Sequence, residues 1–192
     1  SGANMTITGN VTDTGGSGVN GYYYKCTTGG SYLFSSGAAI SFTCSAIGSQ
    51  TAYAYGVDNA SNIDGTPSSV AYSIDTTPPD TSITAYPSNP SASTIGDSFS
   101  FTSTESPSTF QCQLDAGAWS ACTSPKNYSA LTQGSHAFQV KATDAAGNTD
   151  PTPASHTWTV DTVPPETSAL TATPSGANMT ITGNVTDTGG SG

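Results

Sequence analysis

Two short turns hold the side chains of this sequence best suited to bind a metal ion. Residues 58–64 (DNASNID) and 144–150 (DAAGNTD) each place two carboxylates and a carboxamide within seven residues. Hard cations prefer oxygen ligands, so calcium is one interpretation, although the spacing lacks the alternating carboxylates of a loop that wraps an ion. The favoured interpretation is turn chemistry, in which Asp and Asn side chains bond nearby backbone groups. The alternative calcium ligands are Asp58, Asp64, Asp144 and Asp150.

Residues suited to catalysis are few. Only His136 and His156 could act as a general base, and each is flanked by residues of a strand pattern. No segment resembles the GxSxG elbow of a serine hydrolase or a cluster of zinc ligands. We therefore expect no enzymatic activity, and no cofactor unless calcium binds the turns.

The sequence repeats itself at two levels. Residues 1–18 recur letter for letter as residues 175–192, an offset of 174 residues, and the segment around DTTPPDTS at Asp75 recurs more loosely as DTVPPETS at Asp161. Such periods indicate a tandem array. We predict module A at residues 1–75, lacking its first segment, module B at 76–161, and the start of the next module A at 162–192. The chain is then expected to be a window on a longer array.

Four cysteines fall two to a predicted module. Three pairings are possible in principle, but pairing within a module requires no rearrangement of the array. We therefore predict disulfides Cys26–Cys44 and Cys112–Cys122, each joining adjacent strands. The alternative is buried reduced thiols in a reducing compartment.

Alternation of apolar and polar residues predicts short antiparallel strands, with turn signals between them at short intervals. Helical spacing of apolar residues is almost absent. Many short strands at this spacing indicate an all-β fold, with one immunoglobulin-like β-sandwich per module. In the ambiguous segment AYAYGVD we favour Tyr53 and Tyr55 in the core over an exposed aromatic stripe. The other predicted inward residues are Met5, Ile7, Val11, Val70, Tyr72, Ile74, Phe99, Phe101, Phe138, Val140, Ala142, Trp158 and Val160.

Module B carries motifs that resemble a known family. These are the two cysteines flanking LDAGAW, the segment YSALTQGSH, the turn DAAGNTD, and the exit WTVD into PPET. Together they resemble the bacterial immunoglobulin-like repeats that occur in tandem in very large secreted and surface proteins. Module A keeps the turn and the exit but has a longer middle hairpin. The resemblance implies an extracellular, non-catalytic stalk or adhesive array. It also implies a structural role for His136, which matches a strand-entry position of the repeat.

The net charge and the composition restrict the classes of partner that the chain is expected to bind. Lysine and arginine total 3 against 13 acidic residues, so the net charge is −10 and only 8% of residues are charged. This acidity argues against binding nucleic acid or anionic membrane surfaces, and no apolar run is long enough to span a bilayer. Four N-glycosylation sequons occur within one period. Their acceptors are Asn4, Asn10, Asn59 and Asn127.

These observations favour an extracellular or cell-surface structural array, forming a stalk, fibre or sheath of sandwiches joined by stiff Pro-Pro segments. Its partners would be neighbouring copies of the repeat, joined covalently or by strand addition. The alternative is an adhesin or carbohydrate-binding array that binds glycans or surface ligands. A third interpretation is that the chain is an accessory region of a secreted hydrolase. The residues that would stack on sugar rings are Tyr22, Tyr23, Tyr24 and Tyr32.

Overall fold

The computed structural model describes residues 4–92 and 96–187, which divide into unit 1, Ser1–Thr77, and unit 2, Pro78–Gly192. Every regular element of these residues is a β-strand, and each pairs antiparallel with its neighbours. The prediction of an all-β fold is confirmed. Among the described residues there is no helix long and apolar enough to cross a membrane.

Unit 1 is built from six strands in two sheets. The small sheet has two strands in the order β1-β4, and the large sheet has four in the order β3-β2-β5-β6. Large rings from β2, β4 and β6 meet between the two sheets and form the core of a sandwich. The strands are β1 Met5–Asn10, β2 Val19–Lys25, β3 Leu33–Ser36, β4 Ala39–Cys44, β5 Gly48–Asp58 and β6 Ser68–Ile74.

The prediction that Tyr53 and Tyr55 face the core of unit 1 is wrong. Ala52 and Ala54 are the buried residues of β5, at 1% and 8% exposure, and the two tyrosines lie half-buried on the opposite face. Large rings contributed by the other strands already fill the space between the sheets, so β5 contributes only methyl groups there. These rings are Tyr22, Phe42 and Tyr72.

The hydroxyl groups of the core tyrosines of unit 1 are hydrogen-bonded. The hydroxyl of Tyr22 donates to the Ser41 carbonyl at 3.0 Å, and that of Tyr72 donates to the Cys26 carbonyl at 2.6 Å. Buried polar groups without partners would destabilise the fold, so these bonds allow tyrosine to serve as a core residue.

Two further residues of unit 1 are less buried than predicted. Tyr72 and Ile74 are buried as expected, but Val70 on the same strand is 46% exposed. Met5 at the start of β1 is 37% exposed, whereas Ile7 and Val11 pack against the core. Val70 of β6 lines a groove together with Ile7 of β1 and Ile40 of β4.

Unit 2 contains a second sandwich. Its small sheet has three strands in the order β11-β8-β7, and its large sheet has four in the order β10-β9-β12-β13. The strands are β7 Thr81–Ala85, β8 Asp97–Ser103, β9 Ser108–Leu114, β10 Ser120–Cys122, β11 Lys126–Tyr128, β12 Gly134–Asp144 and β13 Ala154–Val160.

The core of unit 2 follows the predicted alternation. Phe99 stacks on Phe138 at a centroid distance of 4.2 Å and meets Trp158 edge-on at 4.9 Å. The Trp158 indole donates to the buried Asp97 carboxylate at 2.8 Å, which also accepts from the Ser91 hydroxyl. The predicted inward residues of this unit are all buried. They are Phe99, Phe101, Phe138, Val140, Ala142, Trp158 and Val160.

A hairpin of strands β14 Glu166–Ser175 and β15 Asn178–Thr186 ends the described residues. We call it the C-terminal hairpin. Gly176, with φ of 61°, lies in its two-residue turn, where a left-handed conformation favours glycine. Strand β15 repeats residues 4–12 exactly, yet its apolar residues Met179, Ile181 and Val185 are 64%, 65% and 69% exposed.

Candidate functional site

The cysteines pair within each unit, but the two disulfides join different parts of the sandwich. Cys26, which follows β2, bonds Cys44 at the end of β4, so this disulfide links the large sheet to the small sheet. Cys112 on β9 bonds Cys122 on β10, which are neighbouring strands of one sheet. The expectation that both disulfides join adjacent strands therefore holds in unit 2 alone. Two disulfides fit an extracellular domain, because such bonds persist in oxidising compartments.

The two acidic turns have the same internal hydrogen bonds. Asp58 accepts from the backbone N–H of Asn62 and from its side-chain amide, both at 2.7 Å. Asp144 accepts the same pair of bonds from Asn148, both at 2.8 Å. These are the bonds that turn chemistry requires. Calcium binding stays a prediction.

Hydrogen bonds at the turns also account for the acidity of their first carboxyl groups. The side-chain and backbone donors of Asn62 hold the pKa of Asp58 below its ordinary value. Burial opposes ionisation of Asp144, but the donors of Asn148 and Gly147 outweigh it and lower the pKa of that carboxyl too. The ionised form is thus the one that orders each turn.

The second carboxylates of the two turns differ in their surroundings. Asp64 and Asp150 both accept from the N–H two residues further on, at 2.9 Å and 2.8 Å. Asp150 is only 3% exposed because Thr81 of β7 covers it and donates its N–H to Oδ2 at 3.0 Å. The Thr81 hydroxyl in turn accepts from the Ala142 N–H at 2.9 Å. Asp64, in contrast, is exposed.

His136 connects the start of β12 to the β9–β10 turn. Its Nδ1 lies 2.7 Å from Oδ2 of Asp115, and its Nε2 lies 2.8 Å from the Thr132 carbonyl. Burial of the ring opposes protonation, but the bonds to Thr132 and Asp115 outweigh it and raise the pKa of His136 above its ordinary value. The other carboxylate oxygen of Asp115 accepts from the Ala137 N–H at 2.8 Å. This arrangement serves the structural role predicted for His136.

Aromatic rings cluster on the face of the large sheet of unit 1 that points away from its core. We call this cluster the outer aromatic face. Tyr55 stacks on Tyr23 at a centroid distance of 5.2 Å and contacts the ring of Tyr32 at 4.9 Å. The Lys25 ammonium lies 4.6 Å from the Tyr32 ring centroid. The members are Tyr23, Lys25, Tyr32, Phe34, Tyr53 and Tyr55.

The predicted sugar-stacking tyrosines thus divide into two groups. Tyr22 is 2% exposed and Tyr24 packs against the core, so neither presents a ring to a ligand. Tyr23 and Tyr32 lie on the outer aromatic face, together with Tyr53 and Tyr55. Burial against the neighbouring rings, with the added effect of Tyr23 and Tyr32, raises the pKa of Tyr55. The alternation of residues along β5 could have indicated that Tyr53 and Tyr55 lie on this outer face. That assignment requires recognising that large rings from other strands already fill the core.

The sequon asparagines all lie on exposed positions. Asn59 already donates its side-chain amide to the Ser17 carbonyl at 2.9 Å. Glycosylation of Asn4, Asn10, Asn59 and Asn127 stays a prediction.

Comparison with protein-family models and with curated proteins finds no match. Among solved structures, the chain is similar to the fibronectin(III)-like modules of CbhA from Clostridium thermocellum. The two share 16% identity with a TM-score of 0.42, and the match covers 83% of this chain and 86% of that chain. At that identity the similarity concerns the β architecture alone.

Removing either disulfide should destabilise its unit. In the loop-closure account each disulfide is worth about 3 kcal/mol, so Cys26→Ala with Cys44→Ala, or Cys112→Ala with Cys122→Ala, should lower the free energy of unfolding by about that amount. Urea unfolding of each variant measures the change. Alkylation without reductant should label no cysteine of the native chain, and labelling of all four would contradict the pairing.

The raised pKa of His136 predicts a dependence of stability on pH. Its protonated form is favoured in the folded state, so its contribution is complete below about pH 6.5 and is lost as pH rises through the folded-state pKa. Urea midpoints for unit 2 should therefore fall above about pH 6.5. His136→Gln and Asp115→Asn should both remove this slope, whereas His156→Gln should retain it. An unchanged slope in His136→Gln would show that another group is responsible.

Proposed function

We propose that this chain is part of an extracellular structural array of immunoglobulin-like modules, which forms a stalk, fibre or sheath. The observation that carries the proposal is the strand β1 of unit 1, which recurs with an identical sequence as β15. Strand β15 repeats β1 after one full period, and its apolar residues are exposed. These two features support the start of a further module at this point.

The mechanism of such an array is mechanical. Each unit is a sandwich cross-linked by one disulfide, and in unit 1 that disulfide connects the two sheets directly. Opening the sandwich of unit 1 beyond the cross-link would require breaking a covalent bond. The paired prolines at 78–79 and 164–165 fix φ and remove backbone donors, which stiffens the segments between modules.

We propose a structural and not an enzymatic role for the array. The His136 ring is bonded to Asp115 and Thr132, and His156 stacks on Tyr86 at 4.0 Å. Neither histidine is bonded to a serine or threonine hydroxyl or to a cysteine thiol in the described residues. The proposed partners are neighbouring copies of the same repeat on the cell surface or outside the cell.

Electron microscopy of a concatemer of several 174-residue periods tests the proposal. Beaded or smooth rods are expected, with a contour length that grows linearly with the number of periods. Replacing Pro164 and Pro165 by glycine in every period should make the rods bend more without shortening the contour. Compact globules would contradict a stalk, fibre or sheath.

The outer aromatic face supports a second candidate function, binding of carbohydrate. Half-buried tyrosine rings beside a lysine combine flat apolar faces with hydroxyl and ammonium groups that hydrogen-bond. Aromatic walls with a few polar groups are typical of small-ligand sites. Tyr22 is buried and Tyr24 packs against the core, so the candidate binding residues are Tyr23, Tyr32 and Tyr55.

A glycan array followed by titration tests this second function. Binding should weaken at least tenfold in Tyr23→Ala and Tyr55→Ala, while Tyr86→Ala, an exposed tyrosine of unit 2, should bind as the native chain does. Thermal unfolding of each variant shows whether the sandwich persists. An array without hits, or equal binding by all three variants, would contradict a carbohydrate site on this face.

A further inference from the structure

One edge of strand β1 in unit 1 is open. The small sheet contains β1 and β4 alone, so in the described residues no strand pairs with the side of β1 opposite β4. We propose that this open edge binds the segment Glu166–Ser175 of a second copy of this chain, which adds a third strand to the small sheet. The proposal rests on the structural array proposed above and specifies how neighbouring copies join.

The hydrogen bonds of β1 show which backbone groups face the open edge. The N–H of Val11, just beyond β1, donates to the Ala38 carbonyl at 2.7 Å, which places the backbone groups of Val11 on the β4 side. Residues of an antiparallel strand direct these groups to alternate sides. The residues that direct them to the open edge are therefore Thr6, Thr8 and Asn10.

The C-terminal hairpin uses the opposite edge of the same strand sequence. Its register pairs Pro174 with Met179 and Thr173 with Thr180. Proline has no N–H, so Pro174–Met179 is a non-hydrogen-bonded pair and Thr180 exchanges hydrogen bonds with β14. Thr180 repeats Thr6. Within this chain, Glu166–Ser175 therefore pairs with β15, along the edge that corresponds to the open edge of β1.

Unit 2 shows the completed arrangement. Its small sheet has β8 in the middle, with β11 on one side and β7 on the other. Strand β7 belongs to the segment PPDTSITA, and β14 belongs to PPETSALTA, which has one inserted residue and the conservative replacements of Asp80 by Glu166 and Ile83 by Leu170. Both registers shift shortly after the shared Thr-Ser pair, and Ala169, with φ of 50°, marks that bulge in β14. The two segments are therefore alternative copies of one sandwich strand.

The open side of unit 1 has room for the side chain that the segment would insert. In unit 2, Ile83 of β7 packs against the core. The matching residue of β14 is Leu170, which is 74% exposed in the hairpin. A groove of about 200 Å³ lies along β1, bounded by Ile7 and Ile40 on one sheet and by Val70 on the other. Leu170 of the added segment would enter this groove and cover the exposed Val70.

A second groove would receive the start of the segment. It has a volume of about 440 Å³ and is lined by Asn10, Gly56 and Asp64 among others. Gly56 and Asp64 occupy the positions of Ala142 and Asp150 in unit 2, to which the Thr81 hydroxyl and N–H bond.

The counterpart of Thr81 in the segment is Thr167. It would therefore accept a hydrogen bond from the Gly56 N–H and donate its own N–H to Asp64. This explains why Asp64 is exposed while Asp150 is buried.

Exchange of the segment between copies conserves its backbone pairing. In the second copy the segment pairs with residues 178–186, whose sequence is that of residues 4–12. Transfer to β1 replaces one ladder with an equivalent one and adds burial of Leu170 in the groove. Apolar burial is the difference that favours the joined copies.

Binding of a labelled peptide with the sequence of residues 164–175 tests the proposal on the full chain. Saturable binding is expected by fluorescence anisotropy, with a scrambled peptide as control. Thr8→Pro removes an N–H of the open edge but none that bonds β4, and proline is tolerated on edge strands. It should weaken binding at least tenfold, whereas Thr8→Val keeps the N–H and should bind as the native chain does.

Two further changes test the same binding site in case Thr8→Pro misfolds. Asp64→Ala removes the proposed acceptor for Thr167 from an exposed position, and a peptide with Leu170→Asn removes the apolar anchor. Each should also weaken binding about tenfold, and thermal unfolding of Asp64→Ala should stay cooperative, because the variant loses only the turn bonds from Thr66. Failure of the peptide to bind, or equal binding by Thr8→Pro, Asp64→Ala and the native chain, would overturn the proposal.

Sedimentation of the full chain tests the second copy as the occupant. Association that increases with concentration is expected, and it should be lost in Thr8→Pro, kept in Thr8→Val, and inhibited by excess peptide. A native chain that stays monomeric, or associates equally as Thr8→Pro, would overturn exchange between copies. Concatemers that form rods despite that result would leave the structural array standing, so the two proposals fail separately.

Discussion

A strand inside a sheet has two edges, and the backbone groups of both need partners. In unit 2 the middle strand β8 meets this requirement, with β11 on one edge and β7 on the other. Strand β7 also closes the side of the sandwich, because Thr81 bonds Asp150 and Ala142 beside the large sheet and Ile83 packs against the core. The burial of Asp150 follows from that closure, as does the stacking of Tyr86 on His156.

Over the residues that the structure describes, unit 1 shows the same kind of sandwich with one edge of β1 unpaired. Val70 and Asp64, which correspond to His156 and Asp150 of unit 2, are both exposed, and grooves open along β1. The core holds because large rings pack between the sheets and the Cys26–Cys44 disulfide connects them. In unit 2, where a third strand helps to close the sandwich, the disulfide lies within one sheet.

Local patterns predicted much of this structure because they depend on neighbours in sequence. The alternation in β8, β12 and β13 correctly indicated the core of unit 2, and the Asp-Asn spacing of the acidic turns indicated hydrogen bonds over four residues. The prediction for Tyr53 and Tyr55 failed because both faces of β5 can accept apolar residues. Which face is buried depends on rings from β2, β4 and β6. The pairing of His136 with Asp115, across 21 residues, had no local signal at all.

The sequence alone determined the period, the strands, the turns and the grouping of cysteines by module, since each is written in residue type and spacing. Only the tertiary structure decided which edge of a strand is open and which face is covered. The same sequence shows the difference: Met5 is 37% exposed in β1 and its repeat Met179 is 64% exposed in β15. Identical residues have the same propensity to form a strand. Their burial depends on what packs against them, and that is a property of the surrounding chain.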